Sequence, residues 1–109
     1  MRLVLILLIV MAFVACESGQ WTQKEFKVWG NCEMCKETIE KSLKIAPVQA
    51  AIWNVETKMI TVRYDEQRIS LDSIQKRIAA VGYDSEKFRG SDKAYANLPD
   101  CCRYERKNH

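Results

Sequence analysis

The sequence predicts an α+β domain of order β-α-β-β-α-β, with one antiparallel sheet covered on one face by two helices. Three observations predict it. Short stretches place Phe26 and Val28, then Ile60, Val62 and Tyr64, on one side against Lys27, Thr61 and Arg63 on the other, which is the two-residue period of half-buried strands. Two stretches carry Cys35, Ile39 and Leu43, then Leu71, Ile74, Ile78 and Val81, at the spacing of amphipathic helices. Turn signals at Gly30-Asn31, Pro47, Glu56-Thr57-Lys58 and Gly82 separate these stretches.

Residues 1–15 hold one charge, Arg2, and an apolar run that stops at Cys16. That run is shorter than the roughly 20 residues a membrane-crossing helix needs, and its layout is that of a cleaved secretory signal. Residues 16–21 read as a polar tether, 22–89 as the domain and 90–109 as a C-terminal tail. The first strand is expected over 22–28, after which Gly30-Asn31 turns the chain into Cys32-Glu33-Met34-Cys35 and the first helix. Glu37–Lys41 and Glu40–Lys44 would pair along its solvent side. Pro47 closes it. Strands over 48–55 and 59–64 form a hairpin; both faces of the former are apolar, and the face with Ala51, Trp53 and Val55 is assigned to the core. Ser70 suits the N-cap of the second helix and Gly82 its end. A short fourth strand over 85–89, with Phe88 its one firm apolar residue, completes the ferredoxin-like split βαβ arrangement. In the tail, 92–98 suits one or two helical turns before Pro99, with Tyr95 and Leu98 as anchors.

A chain of 109 residues holds one domain with appendages. Its formal net charge of +3 becomes about +2 once Arg2 is removed with the leader, too even a balance to indicate nucleic acid as a partner. Of five cysteines, Cys16 stands apart and the others form two close pairs, Cys32/Cys35 and Cys101/Cys102. Two thiols with two residues between them at a helix start can close on one soft metal ion, because the nearby amide N–H groups and the helix dipole favour thiolates. A disulfide is the alternative in an oxidising compartment.

Residues 22–89 resemble the heavy-metal-associated domain, shared by small copper chaperones, metal-binding domains of copper-transporting ATPases and the periplasmic mercury-binding protein. The resemblance rests on Cys32-x-x-Cys35 before an amphipathic helix, on Asn54-Val55-Glu56-Thr57-Lys58, on Val62-Arg63-Tyr64-Asp65 and on Val81-Gly82-Tyr83-Asp84. It implies that Cys32 and Cys35 bind Cu(I), or Hg(II), Zn(II) or Cd(II), and pass it by ligand exchange to a metal-transporting ATPase or efflux system. Asn31, Met34 and Tyr83 would then border the site. The family has Gly-Met-x before its first cysteine where this chain has Trp29-Gly30-Asn31, so the methionine that props the loop is missing. Either Trp29 takes over its packing or Gly30 loosens the loop. Phe13-Val14-Ala15-Cys16 resembles the lipobox of bacterial lipoproteins, which implies export to the periplasm or cell envelope and a lipid anchor on Cys16. The Cys-Cys tail is similar to tails on exported bacterial proteins of this type.

Cys101 and Cys102 are adjacent, with Cα atoms about 3.8 Å apart, closer than unstrained disulfides allow. Three uses remain open. The tail folds back to make a three- or four-sulfur site with Cys32 and Cys35, it forms disulfides to them, or it stays an independent mobile thiol pair. Met34 offers a thioether, although the usual orientation at its place is toward solvent or a partner. His109, the only histidine, is the last residue, and Trp21, Trp29 and Trp53 read as packing residues. Lys36, Lys41 and Lys44 suit a solvated helix face as well as an acidic partner. The expected protein is a monomer, with a metal-bridged dimer as the alternative. Metal delivery or sequestration needs no enzyme chemistry. The competing readings are a thiol–disulfide oxidoreductase in which Cys32 attacks and Cys35 resolves, a mercury scavenger, and an interaction module with structural cysteines.

Overall fold

A computed structural model describes residues 20–107; the leader, Cys16 and His109 lie outside the described residues. The elements are β1 (Thr22–Lys27), α1 (Glu33–Ser42), β2 (Val48–Trp53), β3 (Met59–Tyr64), α2 (Leu71–Ala80), α3 (Asp92–Ala96) and a 3-10 turn (Asp100–Cys102). The three strands form an antiparallel sheet in the order β1-β3-β2. Phe26 and Trp53 both stand opposite Ile60, so the inward positions of all three strands meet in one row. Against this row α1 lays Cys35 and Ile39 with Leu43 just beyond its end, and α2 lays Ile74 and Ile78, all buried. This is the predicted ferredoxin-like α+β architecture, with both helices on one face of the sheet. Among the described residues no helix is long and apolar enough to cross a membrane.

The local chemistry explains the boundaries. Ser70 accepts a hydrogen bond from the Ser73 amide at 3.0 Å, capping α2 as its position predicts. Trp53 is fully buried while Ile52 is 62 % exposed, which settles the face of β2. β2 is an edge strand, and the outward amide and carbonyl of Trp53 are met by α1: the amide donates to Glu40 at 2.9 Å and the carbonyl accepts from Lys36 at 3.0 Å. Glu40 therefore pairs with Lys36 rather than with Lys44, and no Glu37–Lys41 ion pair is present among the described residues. The fourth strand is corrected to a single bridge, Val28 to Ser85. After it the Ser85 amide turns back to the Phe88 carbonyl at 2.9 Å and the buried Ser85 hydroxyl donates to Gln75 at 2.8 Å. A segment with one apolar residue has little to gain from lying flat on the sheet.

The tail is packed rather than loose. Gly82 has φ +99°, and a Cβ there would lie 2.8 Å from the Tyr95 amide nitrogen, so glycine both ends the α2 turn and lets α3 approach. Tyr104 stacks on Tyr83 with ring centroids 5.5 Å apart and meets Tyr95 edge-on at 5.1 Å. Its hydroxyl donates to the Gly82 carbonyl at 2.7 Å and accepts from the Asp84 amide at 2.8 Å. The Asp84 carboxylate has no exposed surface. It accepts from Arg106 at 2.7 and 3.3 Å, from the Gly90 amide at 2.7 Å and from the Lys107 amide at 3.0 Å. Tyr95 and Leu98 pack against the core as predicted, but the principal anchors are Tyr104 and Arg106.

Burial pushes the Asp84 carboxyl up; the Arg106 guanidinium and the Gly90 and Lys107 amides outweigh it and hold the group below its ordinary value of 3.8. A lowered folded value means that the pair's contribution to stability is complete above pH 3.8 and is lost as pH falls through the lower folded value. Arg106→Ala leaves the buried charge unpaired and is expected to cost about 3–5 kcal/mol in urea unfolding at neutral pH. Stability measured against pH should decline on acidification in the unaltered chain, and the decline should be smaller in the variant.

Candidate metal centre

The cysteine loop rests on a tryptophan ring. Gly30 is buried, and a Cβ there would sit 3.0 Å from two ring carbons of Trp53. The Trp53 indole N–H donates to the Val28 carbonyl at 3.0 Å and reaches that of Lys58 at 3.2 Å, which holds the ring under the loop. Trp53, from β2, lies against Gly30, and Trp29 packs half-buried at the edge of the core with Lys27 and Lys107 against its ring at 4.7 and 5.3 Å.

From this support the chain enters α1 with Cys32 at the N-cap position, in extended backbone with φ −142°. Cys35, in the first turn, is fully buried, and its sulfur accepts from the Asn31 amide at 3.4 Å. The Cys32 and Cys35 sulfurs are 3.8 Å apart. After Pro99 the 3-10 turn carries the tail across the same end of the domain, with the Cys102 amide donating to the Pro99 carbonyl at 2.8 Å. Cys102 is 2 % exposed and its sulfur is 4.0 Å from that of Cys32. The sulfurs of Cys32, Cys35 and Cys102 all lie within 4.8 Å of one another. Of the three open arrangements for the tail, the structure has the folded-back one, with Cys32, Cys35, Cys101 and Cys102 unbridged.

Cys101 is the exposed member. Its carbonyl accepts from the Asn31 side chain at 3.5 Å and faces the Cys32 sulfur at 3.7 Å, which ties the tail to the loop. Its own sulfur lies 3.8 Å from Cys102 and 3.5 Å from the Met34 sulfur, outside the group of three. Met34 is half exposed, as its place between the cysteines suggests. Tyr83 is fully buried beneath the site. Its hydroxyl has no hydrogen bond of ordinary geometry and lies against Cys35 and Cys102.

The electrostatics divide the three thiols. The backbone N–H of Cys35 favours the Cys32 thiolate, outweighs burial and lowers that thiol below its ordinary value. Burial pushes the Cys102 thiol up, as it does the Tyr83 hydroxyl. A neutral buried thiol is inert until a cation replaces its proton. A three-coordinate ion with metal–sulfur bonds of about 2.3 Å needs sulfur–sulfur separations of about 4.0 Å; two edges of the triangle are 3.8 and 4.0 Å and the third lies within 4.8 Å. The three sulfurs thus suit a soft ion with little rearrangement. The neighbouring Cys35 and Cys102 thiols add to burial in raising the Tyr83 hydroxyl, which keeps it protonated. Sequence reasoning missed Tyr104 and Arg106, which carry Cys102 into place. An aromatic and an arginine just after the cysteine pair were the available signal.

No protein-family model matches the chain. It is 32 % identical over 65 residues to the copper chaperone CopZ of Staphylococcus epidermidis, a match covering 58 % of this chain and 96 % of that protein. It is 39 % identical over 69 residues to a zinc-transporting ATPase of Synechocystis, covering 62 % of this chain but only 10 % of the ATPase. Among solved structures, a CopZ metallochaperone superposes with a TM-score of 0.56 at 30 % identity, over 59 % of this chain and 98 % of that one. Cys32 and Cys102 stand 70 positions apart, so a 65-residue match cannot contain both. The match with CopZ therefore spans at most part of the three-sulfur group. Near-complete coverage of CopZ, on the same fold, places the chain in the heavy-metal-associated domain family of the CopZ metallochaperones.

Proposed function

We propose that the chain captures a soft metal ion on the sulfurs of Cys32, Cys35 and Cys102 and delivers or sequesters it by thiolate exchange. The observation that carries this reading is the convergence of three sulfurs within 4.8 Å, two from the loop and one from the tail. Cu(I) is the leading ion, supported by the all-sulfur donor set and by relatives named as copper chaperones. Zn(II), Cd(II) and Hg(II) compete for the same donors, and one relative is a zinc-transporting ATPase.

The partly exposed Cys32, whose thiolate the helix start favours, meets the arriving ion first. Cys35 and then Cys102 close on it, each losing its thiol proton to solvent. Delivery runs in reverse, an acceptor's thiolate displacing Cys32 before the buried sulfurs let go. Ligands exchange and no covalent bond of an organic substrate breaks, so the chemistry asks for no catalytic acid, base or nucleophile. The acceptor proposed is a metal-transporting ATPase or efflux system, supported by the nature of the relatives. The apolar leader and Phe13-Val14-Ala15-Cys16 support export and anchoring through Cys16 at the cell envelope.

Competition titration of the reduced chain with Cu(I), Zn(II) and Hg(II) tests the reading. Tight binding of a soft ion is expected, and its loss is expected when Cys32 and Cys35 are both changed to Ser. Cys102→Ser should weaken the complex by more than the roughly 10–100-fold that an outer hydrogen-bond partner is worth; unchanged affinity would remove the tail from the site. Absence of tight binding by the unaltered chain would sink the proposal and turn attention to thiol–disulfide exchange. Tyr83→Phe removes only a donor to the charged sulfurs, and a loss of about tenfold in affinity is expected in the same titration.

A further inference from the structure

The tail places a second pair of soft donors beside the three clustered thiols. Cys101 is exposed, and its sulfur lies 3.5 Å from that of Met34 and 3.8 Å from that of Cys102. Five sulfurs thereby form an unbroken series, Met34, Cys101, Cys102, Cys32 and Cys35, with successive separations of 3.5, 3.8, 4.0 and 3.8 Å. Nor is the outer pair on a loose end. The Cys101 carbonyl is held by the Asn31 side chain at 3.5 Å, and Met34 sits in the first turn of α1, where its carbonyl accepts from Thr38 at 3.1 Å.

We propose that Met34 and Cys101, together with a shared Cys102 sulfur, form a second soft-metal position, so that the loaded chain carries two monovalent ions bridged by Cys102. The proposal rests on the three-thiol reading above and adds an outer position to it. A thiolate sulfur has lone pairs enough to bind two ions. Separations of 3.5 and 3.8 Å fall within the roughly 4.6 Å that two metal–sulfur bonds can span. Binding the outer ion releases the Cys101 proton to solvent and leaves Met34, a neutral thioether, unchanged in charge. Thioether donors suit Cu(I) or Ag(I) and add little for Zn(II). The outer position therefore selects the soft monovalent ion even where the inner one accepts several metals.

The test is anaerobic titration of the full reduced chain with Cu(I), and separately with Zn(II), read by native mass spectrometry. Two Cu(I) and one Zn(II) per chain are expected. Cys101→Ser and Met34→Leu should each hold a single Cu(I), and retention of that ion shows that the variant has kept its fold. One Cu(I) on the unaltered chain, or two on either variant, overturns the outer position and leaves the three-thiol site standing. No Cu(I) on the unaltered chain overturns the three-thiol reading itself.

Discussion

A carboxylate with no exposed surface must be surrounded by donors, and Asp84 draws most of its donors from the end of its own chain. Arg106 and the Lys107 amide close on it from the tail while Gly90 closes from the turn before α3. Leaving such a charge unpaired would cost far more than a surface ion pair contributes. The tail is accordingly held across the domain, and Tyr104 and Cys102 follow from that constraint. With Tyr104 stacked on Tyr83, the residues two positions upstream are carried to the mouth of the cysteine loop.

The same geometry gives the cluster its asymmetry. Cys32 sits where backbone N–H groups welcome charge, whereas Cys102 sits where burial opposes it. The site therefore has an accessible sulfur and a reluctant one, held 4.0 Å apart. Beneath them, a fully buried Tyr83 hydroxyl without an ordinary hydrogen bond is a cost in the neutral state. Charged sulfurs would offset that cost. Cys32 and Cys102 lie too far apart in sequence for the 65-residue match with CopZ to hold both.

Much of the fold was legible because the inward residues keep strict periods: Phe26, Ile60 and Val62 in the strands, Ile39, Ile74 and Ile78 in the helices. The loop cysteines were legible for a different reason, their spacing at a helix start. What escaped had no period. Asp84 and Arg106 are 22 positions apart and meet through one ion pair, which leaves no pattern in either neighbourhood. Trp53 was legible as a core residue but not as the prop beneath Gly30, because that contact depends on how the hairpin lies against the loop. The strand expected over 85–89 failed because the Ser85 hydroxyl and the Phe88 carbonyl found partners nearer at hand.

The 70 positions between Cys32 and Cys102 have a mechanical consequence. An ion held by both acts as a removable cross-link that closes most of the domain into a ring. A permanent link around a ring of that size restricts the unfolded chain by about 4 kcal/mol. On the proposed site, taking up cargo and gaining rigidity would be one event. A loaded chain would be a stapled one, and surrendering the ion would leave the tail held by Tyr95, Tyr104 and the Arg106–Asp84 pair.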